Sequence, residues 1–264
     1  MKGKNRFKKG EKKKRSVPFL PNFITTMSLF CGFYSMAFSL KGNFTMAAVL
    51  ILIAGIIDGL DGRVARATNS TSAFGKEYDS LSDLVAFGVS PAIMAYLWQA
   101  SQFGRLGFIA AFLFVACGAL RLARFNTDVV SDGSTFIGLP IPMAAGAMSS
   151  IVLLSDVVGE IPSLAVLFAM YALSFLMVST VRYPSFKHVS YIKAHPFQLL
   201  VAGLLLLAVV AYKPEVMLFA LAAVFIVGGP ILNLVFQARA RARDQKLLTK
   251  GVEQEHVARE NHHI

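Results

Sequence analysis

Four aspartates crowd one short stretch of an otherwise apolar chain. Asp58-Gly59-Leu60-Asp61-Gly62-Arg63-Val64-Ala65-Arg66 closes one hydrophobic block, and Gly75-Lys76-Glu77-Tyr78-Asp79-Ser80-Leu81-Ser82-Asp83 opens the next. Carboxylates near membrane depth cost about 3 kcal/mol each on insertion scales, so they need partners and mark function. Asp58 and Asp61 are three residues apart, Asp79 and Asp83 four, so each pair shares a helix face. A hairpin between the two helices would bring all four together. Four repelling carboxylates in a low-dielectric site need compensation. One or two hard divalent cations provide it, and an oxygen-only donor set favours magnesium or a similar ion. Gly62 and Ala65 are small and lie on the Asp58/Asp61 side, which lets a bulky ligand approach the backbone. Arg66, one turn beyond Gly62, can grip a phosphate bidentately. The combination reads as a diphosphate site.

The elements that must position these residues are membrane spans. Of the 264 residues 55% are apolar and 16% charged, with a mean hydropathy of +0.59; a soluble domain averages about 25% charged. The apolar residues gather in blocks of about 17–24, long enough to cross a bilayer. This excludes a soluble enzyme, a secreted disulfide scaffold and a nucleic-acid-binding domain. Eight spans are expected, near 22–40, 44–67, 79–100, 105–124, 139–158, 162–180, 196–212 and 215–236, separated by Gly, Pro and polar punctuation. The expected fold is therefore an all-α polytopic transmembrane helical bundle, with a six-helix core and two additional C-terminal spans. Nine basic residues between Lys2 and Arg15 form a juxtamembrane cluster suited to anionic lipid headgroups rather than nucleic acid. With eight spans, all but Lys41, Arg105 and Lys213 of the 26 basic residues fall on one face. That face, with both termini and the aspartates, is expected to be cytoplasmic. Nothing in the N-terminal segment has the pattern of a cleaved leader. Cys31 and Cys117 lie within apolar blocks and read as small buried hydrophobes. His188, His195, His256, His262 and His263 read as solvated loop or tail residues, and Trp98 as an interfacial anchor.

The pattern Asp-x2-Asp-Gly-x2-Ala-Arg-x8-Gly-x3-Asp-x3-Asp, running from Asp58 to Asp83, resembles position for position the signature of the CDP-alcohol phosphotransferases. The resemblance covers at least the first six expected spans. It implies a cytosol-facing cavity where a CDP-linked lipid binds and an alcohol displaces CMP. It further implies that Asp58, Asp61 and Asp79 bind metal, with two Mg2+ or Mn2+ ions expected, and that Asp83 is the general base while also touching the second ion. Gly62, Arg66 and Ser72 would contact the nucleotide or its diphosphate, with Ala65 and Gly75 in the same motif. Pro21-Asn22-Phe23-Ile24-Thr25 is similar to the family segment that cups the cytidine, placing Pro21, Asn22 and Thr25 at the donor lipid. A homodimer is implied as well.

Three further segments resemble those of the branch of this family that uses L-serine as acceptor and CDP-diacylglycerol as donor. They are Arg121-Leu122-Ala123-Arg124-Phe125-Asn126, Phe136-Ile137-Gly138-Leu139-Pro140-Ile141-Pro142 and Ser179-Thr180-Val181-Arg182-Tyr183-Pro184-Ser185-Phe186-Lys187. A zwitterionic acceptor needs a cationic or donor-rich partner for its carboxylate, and Arg121, Arg124, Asn126 and Arg182 are the candidates. Glycerol 3-phosphate or an inositol phosphate would also want arginines, so charge alone leaves the acceptor open. A cation-coupled transporter with intramembrane aspartates is the competing class. It fits less well, because the aspartates gather at one end of the spans and no second half of the chain mirrors them. The expected organisation is a basic segment over 1–20, a catalytic membrane core over 21–194, two added spans over 195–237 and a cytoplasmic tail over 238–264.

Overall fold

The computed structural model describes residues 19–68, 72–127, 135–184, 204 and 213–231. Helix α1 (Phe19–Leu40) and helix α2 (Phe44–Ala67) form an antiparallel hairpin. Its turn is written in Lys41-Gly42-Asn43. Gly42 adopts φ +76, which lets its N–H reach the Ser39 carbonyl at 3.0 Å while the Asn43 N–H reaches Phe38 at 3.0 Å; two otherwise orphaned carbonyls are satisfied. Asn43 then caps α2, its Oδ1 accepting from the Met46 N–H at 3.0 Å. Along the hairpin, hydroxyls on α1 donate directly to α2 carbonyls: Ser28 to Ala54 at 3.1 Å and Ser35 to Ala47 at 2.9 Å. Small hydroxylated residues let two backbones approach closely where hydrophobic exclusion cannot hold helices together.

The third span is one helix in three parts: α3 (Ala73–Asp83), a π-helical turn over Leu84–Val89, and α4 (Ser90–Trp98). It starts six residues before the expected position 79, because Ser72 caps it in extended geometry and accepts from the Gly75 N–H at 2.9 Å. The π turn packs against α1 so tightly that a Cβ on Gly32 would lie 2.8 Å from the Ala86 Cβ. Ser90 Oγ bridges the same contact, 2.7 Å from the Gly32 carbonyl and 2.9 Å from that of Val85. A short 3-10 turn (Ala100–Phe103) leads to α5 (Arg105–Thr127), followed by α6 (Ile141–Val158) and α7 (Ser163–Val178). Strands β1 (Thr135–Ile137) and β2 (Arg182–Pro184) pair antiparallel, with Phe136 opposite Tyr183 and Ile137 opposite Arg182. This three-residue ribbon ties the entry of α6 to the exit of α7. Helix α8 (Pro214–Ile231) completes the described residues.

Among the described residues six helical segments are long and apolar enough to cross a membrane: α1, α2 to Val64, the α3–α4 unit, α5, α6 and α8. Helix α7 is apolar but has 16 residues, about 24 Å at 1.5 Å per residue. Of the expected spans, 196–212 lies outside the described residues, as do the basic N-terminal cluster, the tail and all five histidines. The fully buried layer is built from small and pliable residues, among them Ala47, Ala54, Phe87, Met94, Phe114 and Met148. The outer surface is the reverse of a soluble protein's: Phe33 is 64% exposed, Phe112 62% and Phe175 74%. Such a surface suits acyl chains, and the chain is a multi-pass integral membrane protein. Both cysteines are free, Cys31 buried and Cys117 half-buried. Trp98 stands half-buried at the end of α4.

Candidate active site

The α2 C-terminus, the α3 N-terminus and the α5 C-terminus meet at one end of the bundle, where the acidic residues converge. Asp58, Asp61 and Asp79 each offer a carboxylate oxygen, and these oxygens lie within 4.8 Å of one another. Asp83 adjoins them through a side-chain contact with Asp58, as Asp61 adjoins Asp79. The aspartate pairs read from the spacing thus do face each other across the α2–α3 junction. Two unit charges 4.8 Å apart repel by about 3 kcal/mol at an effective dielectric near 20, and three such pairs are present. Oxygen donors only, convergent and buried to this degree, fit a hard divalent cation. The Asp79 Oδ1 atom is buried without a partner among the described residues, a ligand oxygen still available to such an ion.

Helix α1 contributes a hydrogen bond that the spacing of the aspartates does not reveal. Thr25, 4% exposed, donates to Asp61 Oδ2 at 2.8 Å, with the Pro21 carbonyl 3.1 Å from the same hydroxyl. Asp61 is itself buried, and the bond fixes its carboxylate against α1. Thr25 was expected at the donor lipid; its hydroxyl is engaged by a carboxylate of the cluster. Asn22 lies beside Gly75, its Oδ1 3.3 Å from where a Cβ would stand, and its Nδ2 is buried without a partner among the described residues. Thr26 shares a 2.8 Å hydrogen bond with the Tyr78 hydroxyl, tying the start of α1 to α3. Ser72 serves as the α3 cap, and Gly75 is the residue it caps. Gly62 is half-buried on α2; the side chains of Ala65 and Arg66 lie outside the described residues.

Helix α5 closes the other side. Arg121, 9% exposed, lies within electrostatic reach of Asp83. Its Nε is buried without a partner among the described residues. A buried guanidinium left with an open donor is ready for an anionic group. Asn126, grouped with Arg121 in the sequence, has a different occupation. Its Nδ2 donates to Ser80 Oγ at 2.9 Å and its carbonyl accepts from Lys76 Nζ at 3.4 Å, which pins α5 to α3. Arg124 lies half-buried in the last turn of α5, where a cation suits the helix dipole. The backbone of Arg182 is in β2, and its side chain lies outside the described residues.

The match to known proteins covers this whole region. The family model for CDP-alcohol phosphatidyltransferases matches residues 18–181, from the start of α1 to the end of α7. This chain belongs to that family. A CDP-diacylglycerol–serine O-phosphatidyltransferase of Helicobacter pylori (strain ATCC 700392 / 26695) is 41% identical over 216 residues, covering 80% of this chain and 89% of the relative. An archaetidylserine synthase of Methanothermobacter thermautotrophicus is 40% identical over 176 residues, covering 66% and 73%. A CDP-diacylglycerol–serine O-phosphatidyltransferase of Bacillus subtilis (strain 168) is 37% identical over 169 residues, covering 64% and 92%. For a CDP-alcohol phosphatidyltransferase, the position of the π turn directly after Asp83 is informative. One extra residue in a helix turns everything beyond it by about 100°. Asp79 and Asp83 can therefore face the acidic cluster while Ala86, Phe87 and Met94 face the core. No local signal in Leu84-Val85-Ala86-Phe87-Gly88-Val89 announces that turn.

Proposed function

We propose that this protein transfers the phosphatidyl group of CDP-diacylglycerol to the hydroxyl of L-serine, releasing CMP, as a step of phospholipid synthesis. The observation that carries the reading is the convergence of Asp58, Asp61 and Asp79 beside Asp83, with the buried guanidinium of Arg121 within electrostatic reach of it. Donor and acceptor follow the relatives, which are named for serine at 41% identity over most of both chains.

Asp58, Asp61 and Asp79, with Asp83 at the edge, would hold one or two Mg2+ or Mn2+ ions, which supply neutralisation of the diphosphate and of the departing CMP. The chain's own residues do the rest. Asp83 accepts the proton of the serine hydroxyl; its oxygen bonds to the phosphorus bearing diacylglycerol, and the bond from that phosphorus to the CMP oxygen breaks. A carboxylate is a weak base for a free alcohol, so positioning supplies much of the acceleration. Arg121 receives the serine carboxylate beside Asp83, with Arg124 and Arg182 adding positive charge, while Asn126 acts through its hold on Ser80. Thr25 orients Asp61. Asn22, Gly62, Ala65, Arg66 and Gly75 form the donor side, with Pro21 behind Thr25 and Ser72 holding the start of α3. The acyl chains remain in lipid, leaving the cavity sideways between helices.

The catalytic core spans 21–194, between a basic segment (1–20) suited to anionic headgroups and two added spans (195–237) with a tail (238–264). The distribution of lysine and arginine supports a cytoplasmic site and cytoplasmic termini in the cell membrane, and the protein works as a homodimer. The test is CMP release by purified protein in detergent with CDP-diacylglycerol and Mg2+ or Mn2+, supplying serine, glycerol 3-phosphate or inositol phosphate singly. Release with serine alone is expected; release with either phosphate instead would overturn the acceptor.

A further inference from the structure

Tyr183 is fully buried although it sits in a three-residue strand at the end of the bundle. What buries it is α8. The ring stacks on Phe225 with centroids 5.4 Å apart, and the hydroxyl donates to the Ile226 carbonyl at 3.4 Å. Burial pushes that hydroxyl up to about 12, so it remains a donor. Gly229 provides the notch: a Cβ there would fall inside the Tyr183 ring, 2.6 Å from Cζ. Only 6% of α8 is buried, so among the described residues the ring in its notch is a main attachment of this helix.

The ribbon passes the attachment on toward the site. Tyr183 pairs with Phe136. The following Gly138, at φ +78 and pressed against the Met177 carbonyl, donates to Val181 at 2.8 Å, and Leu139 donates to Leu176 at 3.0 Å. These bonds aim Ile141, whose Cδ1 would stand 2.6 Å from a Cβ on Gly118 and 3.5 Å from one on Gly88. Gly118 precedes Arg121 by less than one turn of α5, and Gly88 lies in the π turn that follows Asp83. Ile141 is thus a wedge between the segment of α5 that carries Arg121 and the π turn that follows Asp83. Tyr183 and Gly229 both lie beyond residues 18–181, the segment matched by the family model, whereas all four aspartates lie within it.

We propose that α8 is a clamp for the acceptor side of the site, with Tyr183 and Gly229 as positioning residues that keep the ribbon and its Ile141 wedge seated under Arg121. The proposal rests on the acceptor lying between Arg121 and Asp83. It assigns α8 to acceptor binding rather than to the donor chemistry shared across the family.

The experiment compares wild type with Gly229→Ala, Tyr183→Leu and Tyr183→Phe, titrating acceptor and CDP-diacylglycerol separately. Misplacement of a binding group by about 1 Å can cost about 100-fold. Gly229→Ala and Tyr183→Leu should raise the KM for the acceptor about tenfold or more, with the KM for CDP-diacylglycerol nearly unchanged; Tyr183→Phe, which keeps the stacked ring, should stay near wild type. If Gly229→Ala fails to fold, Tyr183→Leu reads the same contact without adding an atom. Equal rises in both KM values, or an unchanged acceptor KM in folded Tyr183→Leu, would overturn the clamp. The comparison is made with whichever acceptor the wild type uses, so a different acceptor would refute the serine assignment and leave the clamp to be judged by its own KM split.

Discussion

Thr25 stands one hydrogen bond behind the acidic cluster, and its effect on Asp61 can be separated from any contact with nucleotide. Its hydroxyl donates to Asp61 Oδ2 at 2.8 Å in a buried setting. Bonds of this kind hold a metal-binding carboxylate in one orientation, and losing one costs about 10–100-fold in metal affinity. Thr25→Val keeps the shape and removes the donor. It should raise the Mn2+ concentration for half-maximal turnover about tenfold, and Thr25→Ser should restore it. A metal titration of CMP release checks this; an unchanged midpoint in Thr25→Val would mean that the bond does not orient Asp61. Of the site, the four aspartates were legible because their chemistry is repetitive and their spacing local. The Thr25–Asp61 bond was not, since it joins residues 36 apart in sequence and its formation depends on how α1 lies on α2. The same limit explains Asn126. An amide near two arginines reads as a ligand group, and only the fold shows that one of its N–H donors goes to Ser80 of another helix.

At the scale of elements, helices were legible and their interruptions were not. Apolar block length and the Lys41-Gly42-Asn43 turn gave the α1–α2 hairpin almost to the residue. The start of α3 was missed because Ser72 caps it from within a polar stretch, and the π turn because its residues are ordinary apolar ones. The β1–β2 ribbon was missed too, being only three residues a side and paired across two helices. The π turn depends on Gly32, which lets Ala86 approach α1. Gly32→Val would force the helices apart, and overpacking of this sort costs about 1–3 kcal/mol. A fall in Tm of several degrees in detergent is expected, with turnover falling further than stability alone explains because Asp83 adjoins the displaced turn. A Tm equal to wild type would show that the contact has slack.

For the whole molecule, the arrangement of basic residues and the placement of the aspartates make one statement about sidedness. The α1–α2 turn and the Ala100–Phe103 turn lie at the end opposite the acidic cluster. In a background with Cys31→Ser and Cys117→Ser, Lys41→Cys and Ser101→Cys should react with a membrane-impermeant maleimide applied to intact cells. Ala67→Cys should react only after permeabilisation. The reverse pattern would put the site outside and overturn the cytoplasmic assignment. The outward phenylalanines of α1, α5 and α7 bear on the same scale, since they leave the bundle's flank to lipid, where the donor's acyl chains must stay.

Asp83 bears most directly on the central claim that this acidic cluster performs the transfer. The decisive measurement is serine-dependent CMP release by purified Asp83→Asn, with binding of CDP-diacylglycerol followed in the same preparation. General-base catalysis contributes about 10²–10⁴-fold, so turnover should fall by about that factor while the donor lipid still binds. Turnover equal to wild type would contradict the account, because the transfer would then need no proton acceptor at Asp83.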